Sequence, residues 1–485
     1  MGIYVVFILI AIAFSLFVVA VIRTLWLKMV KKPGLSQSCP PIPSFDPALA
    51  ATHLQQLVRV PTVSHQQTED DSVEDFSRFR EILRDLYPQT HAQLTQRVIG
   101  DSNLVYIWQG SAPQLEPVLL TAHQDVVSAG DASAWTHGPF SGDISEGFVW
   151  GRGSFDDKGQ LTAILESVET LLANGFVPKR SVWIAFGCDE EVRGQKGARL
   201  IASTLLSEGR RFAFTLDEGG AVVEGYFPGL HRPVAVVGIA EKGNLDLKLI
   251  SSRDGGHSST PKNPTSLGMV AAAVSRIEQH QAPARITLPV RKLFNTLGHH
   301  ASFPLALVFL NLWLFSPLLK LLLRRNSTTN AMLRDTHAST MAVGSDASNV
   351  ISQESSAVVN FRLLPGSSEK EILRWTRKRI KDDRMQLELQ AFSAPSRVTD
   401  SDQSPFREIQ SAITAAFPTA IAAPYLMLGG TDAHWYEQVC DQVYRFTPAL
   451  MDKHELSRMH NADERFSLDN LRCAIHFYIH LIQGL

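Results

Sequence analysis

The chain has 485 residues, 45% hydrophobic and 19% charged, a globular composition with room for two or three domains and no mark of disorder. A formal net charge of -2 argues against a nucleic-acid partner, because it offers no basic footprint for phosphates. The four cysteines, Cys39, Cys188, Cys440 and Cys473, are far apart and form no C-x-x-C pair, so neither a disulfide framework nor a thiolate zinc site is indicated, and any metal would be held by His, Asp and Glu.

No charged residue occurs from Met1 to Ile22, and Ile3 to Ile22 is almost continuously apolar, long enough to cross a bilayer as one helix. The run is longer than a usual signal-peptide core and no clear A-x-A site precedes the basic residues, so residues 1–30 read as a membrane anchor rather than a cleaved signal. Arg23, Lys28, Lys31 and Lys32 follow it. The positive-inside rule would keep that flank cytoplasmic, though the side of the membrane stays open. Pro33, Pro40, Pro41 and Pro43 mark a linker over 31–45, after which Asp46 and Pro47 suit the cap and first turn of a helix.

Val118 to Ala122, Val182 to Phe186 and Phe212 to Leu216 read as short buried strands alternating with helical patterns, which predicts a largely parallel sheet flanked by helices. Ligands in such sheets gather beyond the carboxyl ends of the strands. His123 and Asp125 follow the first strand, Glu190 and Glu191 the second, and Asp217 the third. Any one of these is more often a capped turn; together, crowded carboxylates would repel one another unless cations stood between them.

Between the first two strands, Trp150 to Gln160 delivers Asp156 and Asp157 from a glycine-rich turn, and Leu161, Ile164, Leu165, Val168 and Leu172 continue at helical spacing. A carboxylate at this junction, Asp156, is suited to bridge two metal ions about 3.5 to 4 Å apart; the plain alternative is a helix-capping turn.

From Glu241 the pattern changes. Strands at Asn244 to Ile250, Ala357 to Leu364 and Met385 to Phe392, a helix through Leu267 to Ile277, and a helix to about Lys381 opened by a Ser368/Glu371 capping box predict a smaller α+β unit. This lid or dimerisation unit, 241–392, would interrupt a catalytic domain formed by 46–240 and 393–485. The apolar run Ala301 to Leu319 is not expected to span a membrane. It contains Pro304, Asn311 and Pro317, and a crossing would separate two strands of one small unit; it reads either as an apolar lip for lipid or as buried core.

His123-Gln124-Asp125, the stretch Gly151 to Gly159, Asp189-Glu190-Glu191, Gly255-Gly256-His257-Ser258, and Asn360 to Gly366 agree in order and spacing with one family. From about Asp46 onward the chain resembles the aminoacylase and carboxypeptidase S family of dinuclear zinc exopeptidases. The apolar insert around Phe303 to Leu323 and Tyr444-Arg445-Phe446 look most like its branch acting on N-fatty-acyl amino acids, a secreted enzyme in animals. The resemblance implies an α/β zinc-exopeptidase fold, one zinc on His123, Asp156 and Asp217, a second on Asp156, Glu191 and His460, and a cis peptide between Asp156 and Asp157. Asp125 would fix the tautomer of His123. Since the family usually has His-Gly-x-Asn-Glu where this chain has His460-Asn461-Ala462-Asp463-Glu464, His434 competes with His460.

The same resemblance makes Glu190 the general base, His257 an oxyanion ligand that relatives can draw from a partner subunit of a dimer, and Arg362, Asn349 and Gly430 the binders of a substrate carboxylate. Taken alone, His257 would be a loop histidine and Arg362 a strand-edge ion pair. The expected activity is zinc-dependent hydrolysis, and possible formation, of an acyl–amino acid amide. A peptide-cleaving carboxypeptidase and an inactive membrane-tethered binding protein are the alternatives; loss of Glu190 or a ligand would mark the last, and none is lost.

Overall fold

A computed structural model describes residues 2–30, 41–65, 73–227 and 229–485. The apolar N-terminal segment is one helix, Gly2–Met29. Most of the proline-rich linker lies outside the described residues. Beyond it, Asp46 caps the helix Pro47–Val58, accepting hydrogen bonds from the Ala48 and Leu49 amides at 2.9 and 3.3 Å.

The three strands expected to carry the site lie side by side. Val118–His123 is flanked in parallel register by Val182–Gly187 and Phe214–Asp217, so all three carboxyl ends open on one edge. Every residue of the three is buried, since helices cover both faces. Leu120 and Ile184 join the core beneath Lys158–Ala173 and Leu468–Gln483. Their neighbours Leu119 and Trp183 join a second core with Ile201 and Leu205 of Ala198–Ser207. A strand buried on both faces reads as a continuous apolar run, which is why these were visible in the sequence.

The sheet is mixed, not largely parallel as expected. Thr95–Ile99 and Asn103–Trp108 form an antiparallel hairpin, and the second strand also pairs antiparallel with Val182–Gly187. The turn between them is Gly100-Asp101-Ser102, too short for the crossover a parallel pair needs. Beyond Phe214–Asp217 the sheet continues through Val443–Arg445 and Val234–Glu241, so the last part of the chain completes a sheet begun by the first.

A four-stranded antiparallel sheet forms a second unit, ordered Thr336–Val343, Glu354–Leu363, Gly243–Ser252 and Gln386–Ser393. The helices Ser266–Glu278 and Glu369–Ile380 supply its separate core with Leu247, Val359 and Phe361. Thr336–Val343 was not legible: as a half-exposed edge strand it lacks a buried apolar run. Residues 288–333, inside the range expected for this unit, pack instead on the large sheet, where Val290, Leu293, Phe294 and Leu333 enter its core. The apolar run forms two helices, Phe303–Phe309 and Leu312–Leu323, bent by 105° at the break before Leu312. Neither helix alone is long enough to cross a bilayer, while the two together are apolar enough and long enough to count as a broken span or re-entrant loop.

The capping box is present: the Ser368 amide donates to Glu371 Oε2 at 3.0 Å, and the Glu371 amide to Ser368 Oγ at 3.4 Å. Ser368→Ala is expected to lower unfolding free energy by about 1 kcal/mol, read as an earlier denaturant midpoint with unchanged metal content.

Candidate metal centre and substrate pocket

The turn before Lys158–Ala173 can be made only with glycine at two places. Gly151 and Gly153 have φ of 141° and 81°, and a Cβ on Gly153 would stand 2.5 Å from Val126 Cγ1. The turn ends in a cis peptide between Asp156 and Asp157. Glu464, almost wholly buried, holds the turn from behind. Its Oε1 accepts the Phe155 and Asp156 amides at 3.0 and 3.1 Å, and its Oε2 pairs with the Arg152 guanidinium, which also donates to the Asn461 carbonyl. The Asp156 turn and the His460 loop are thus one assembly, though about 300 residues separate them.

Asp156 sits between two histidines. His123 Nε2 lies 3.0 Å from its Oδ1 and His460 Nε2 lies 3.0 Å from its Oδ2. His460 is also 3.3 Å from Glu191 Oε2, and His123 Nε2 is 3.6 Å from Glu218 Oε1. Among the described residues, three groups have ligand atoms close enough to share a cation: His123, Asp156 and Glu218; His123, Glu190 and Glu191; and Asp156, Glu191 and His460. The donor set fits metal, because Glu191 Oε1 is buried without a hydrogen-bond partner and all the donors are imidazole or carboxylate.

Two expectations change. Asp217 belongs to none of these groups: its Oδ1 accepts the Thr121 hydroxyl at 2.7 Å, while the neighbouring Glu218 faces His123. Successive strand residues point to opposite faces, so a shift of one at the end of Phe214–Asp217 exchanges the residue that meets the cluster. Asp125 also acts differently. His123 Nδ1 is 2.9 Å from the Asp125 backbone carbonyl and 3.4 Å from its carboxylate, which instead accepts the Glu190 and Glu191 amides, each at 3.1 Å, and the Ser64 hydroxyl. Asp125 therefore fixes the glutamate turn as well as the His123 ring. His434 is in none of these groups, though it lines the same concavity as His460; its Nδ1 is 2.7 Å from the Thr431 carbonyl and 3.4 Å from Glu241.

The electrostatics follow from burial. Desolvation raises Glu190 and Glu218 well above the ordinary glutamate value of 4.5, and nearby carboxylates push the same way. Burial would raise Asp156 too, but hydrogen bonds from His123 and His460 outweigh it and hold the carboxyl well below its usual range. His460 is raised to about 10 by its hydrogen bonds to Asp156 and Glu191. Burial alone would lower His123, but the facing Glu218, Asp125 and Asp156 carboxylates outweigh it and raise this group as well, so both histidines are drawn toward the charged form by the carboxylates around them.

Glu190, Glu191 and His460 open on a concavity of about 790 Å³ whose far wall includes Arg362, Asn244 and Asn360 of the small sheet, with Gly430 alongside. Its floor is set by a buried pair: Arg445 Nε donates to Glu241 Oε2 at 2.9 Å, and Thr431 donates to the same oxygen. His257 and Asn349 are not brought there. They line a separate concavity of about 650 Å³ with Gly344, Ser345 and Asp346, and His257 Nδ1 is 2.7 Å from Ser259 Oγ.

The sequence profile of peptidase family M20/M25/M40 matches residues 119–484, which spans the ligand cluster and the Arg362 wall. The chain belongs to this family. It is an M20 hydrolase. Among its relatives, a probable carboxypeptidase S-like protein of Dictyostelium discoideum is 38% identical over 439 residues, 90% of this chain and 84% of that protein. An N-fatty-acyl-amino acid synthase/hydrolase of Xenopus tropicalis is 38% identical over 435 residues, 89% of this chain and 85% of the relative. The crystal structure of an M20 family metallo-carboxypeptidase from Sulfolobus solfataricus superposes with a TM-score of 0.66 at 16% identity, covering 90% of this chain and 98% of its own, and so supports the fold.

Glu218, Arg152, Glu241 and Glu464 were not assigned site roles from sequence. Glu464 had a signal, since it stands four residues after His460 in the same quoted tract; Glu218 was hidden by its neighbour Asp217. His460→Ala is expected to remove about half of the bound metal and His434→Ala none, read by elemental analysis. A pH prediction follows from the raised carboxylates: where pH exceeds 4.5 but not the folded-state value, the native metal-free protein binds more protons than the unfolded chain, so its stability falls as pH rises. Added zinc displaces those protons. The zinc-dependent rise in Tm should therefore grow between about pH 5 and 7.5, and a constant increment would contradict the proton balance.

Proposed function

We propose that the chain is a dinuclear zinc amidohydrolase that cleaves the amide joining a fatty acyl group to an amino acid with a free carboxylate, and forms that bond when both products are abundant. The observation that carries this reading is that Glu190, Glu191 and His460 of the ligand cluster share one concavity with Arg362. His123, Asp156 and Glu218 would hold one ion, with Glu218 in place of Asp217, and Asp156, Glu191 and His460 the other. Bound zinc supplies Lewis acidity toward the amide carbonyl and makes water acidic enough to react near neutral pH.

The chain's own groups do the rest. Glu190 takes a proton from the attacking water and delivers it to the leaving nitrogen. Asp125 positions it through the turn amides. Arg362 offers a planar fork to the substrate carboxylate, with the Gly430 backbone beside it. His257 would stabilise the developing oxyanion and Asn349 the carboxylate, both brought to the pocket by a homodimer or by closure of the small unit. Phe392, Pro395 and Trp435 give the pocket apolar wall for an acyl chain. The activity named for the Xenopus tropicalis relative points the same way, and the N-terminal helix would anchor the enzyme in a membrane where such substrates partition.

A carboxypeptidase acting on peptides is the second reading, favoured by the name of the Dictyostelium discoideum relative. The full-length, zinc-loaded chain in detergent separates the two when given an N-oleoyl amino acid and a blocked dipeptide with the same C-terminal residue, each with and without chelator. Faster, chelator-sensitive cleavage of the oleoyl compound is expected; preference for the dipeptide would establish the carboxypeptidase. Glu190→Gln should keep its metal and lose turnover by about 10² to 10⁴-fold. Arg362→Ala should raise KM by roughly tenfold or more for the N-oleoyl amino acid, the loss of one charge-assisted pair, and should leave unchanged the slower cleavage of the same compound with its carboxylate converted to a carboxamide.

A further inference from the structure

The last third of the N-terminal helix is fixed to the folded domain. Ala20 and Thr24 are buried, and Val18, Val21, Arg23 and Leu27 partly so, which marks one face of the helix. The Arg23 guanidinium donates to the Leu310 carbonyl and, at 3.2 Å, to Asn311 Oδ1. Lys28 Nζ donates to the Ala301 carbonyl at 2.6 Å. Leu310 and Ala301 are the residues that close Phe303–Phe309 and Leu288–His300, so both cations sit at helix C-termini, where free carbonyls and the helix dipole favour positive charge. Asn311, fully buried at the bend, donates to the Ala20 and Leu307 carbonyls and to Thr24 Oγ1.

Beside that contact the two bent helices leave apolar side chains uncovered. Phe303, Trp313, Leu318, Leu321 and Leu322 are each 39% to 52% exposed, and no residue of 303–323 lines the concavity of the candidate site. Lys320 lies among them, and Arg324 and Arg325 follow on the same segment. The patch is continuous with a helix whose 26 residues from Tyr4 are apolar enough to cross a bilayer. An exposed apolar surface with a tryptophan and flanking cations suits the interface of a membrane.

We infer that the bent pair Phe303–Leu323 is a second membrane contact, which enters the surface of an anionic phospholipid bilayer beside the N-terminal helix, and that Arg23, Lys28 and Asn311 lock the two into one bilayer-facing unit. The helix is then a rigid mount rather than a loose tether, and the catalytic domain is held against lipid in one orientation. Within a bilayer interface an unpaired carbonyl is costly, which gives Arg23 and Lys28 a task beyond their charge. The inference stands apart from the choice of substrate.

The test uses the full-length chain in phosphatidylcholine/phosphatidylserine vesicles that contain a phospholipid with a diazirine in its acyl tail. Irradiation and peptide mapping should find lipid adducts on 303–323 as well as on Gly2–Met29. Arg23→Gln combined with Lys28→Gln should reduce the first several-fold and leave the second, with metal content unchanged as a check on folding. Should that variant misfold, Leu318→Glu with Leu322→Glu, on exposed positions, should reduce the same adducts. Adducts confined to the N-terminal helix, cross-links from 303–323 to a second copy in place of lipid, unchanged labelling in the folded double variant, or an intact mass lacking the first helix would each overturn the inference.

Discussion

Burying carboxylates beside one another costs free energy, and this fold does so at the edge where three parallel strands end. Asp156, buried, and Glu190, Glu191 and Glu218, half-buried, converge on a buried His123 and an exposed His460, where water reaches them from one side only. Histidine hydrogen bonds offset part of the repulsion, and raised proton affinity offsets more. A cation removes the remainder. The same repulsion that makes the metal-free site unfavourable is therefore the source of its affinity for metal, and the surrounding structure serves to stop these groups from moving apart.

That restraint comes from remote parts of the chain. Glu464 receives the amides of the Asp156 turn and pairs with Arg152, so the first ligand loop cannot shift without the last. Asp125 does the same for Glu190 and Glu191. Arg445, fully buried on a strand that the C-terminal segment adds to the sheet, fixes Glu241 at the floor of the pocket. Each anchor is a charged group whose partner is buried with it, an arrangement that is strongly destabilised if one member is removed.

The two cores divide the labour differently. The large sheet carries the ligand cluster, while the small antiparallel sheet carries Arg362 on the opposite wall. Residues 288–333 leave the small unit, pack on the large one and present the bent helices to the N-terminal helix. The catalytic groups and Arg362 thus stand on facing walls of one concavity, and the bent helices lie apart from it.

Local chemistry made much of this legible. Fully buried strands show as apolar runs, a glycine-rich turn before a helix announces Asp156, and a capping box announces the helix after Ser368. The family motifs supplied His123, Glu190, Glu191 and Arg362; in the structure Glu190, Glu191 and Arg362 line one concavity, and His123 groups with the two glutamates. The choice between Asp217 and Glu218 was not legible, because adjacent carboxylates in a sequence differ only in the direction the strand gives them. Nor was the mixed sheet, since pairing depends on which segments meet. His257 and Asn349 carry the same motif in any conformation, but their distance from the ligand cluster belongs to the arrangement of the two units. The sequence by itself determined the residue types and their local elements, for those depend on neighbours within a few positions. Tertiary structure alone decided which of two acidic neighbours faces the cluster and which helix Arg23 closes, because both follow from contacts between segments far apart in the chain, Thr121 with Asp217 across 96 residues and Arg23 with Leu310 across 287.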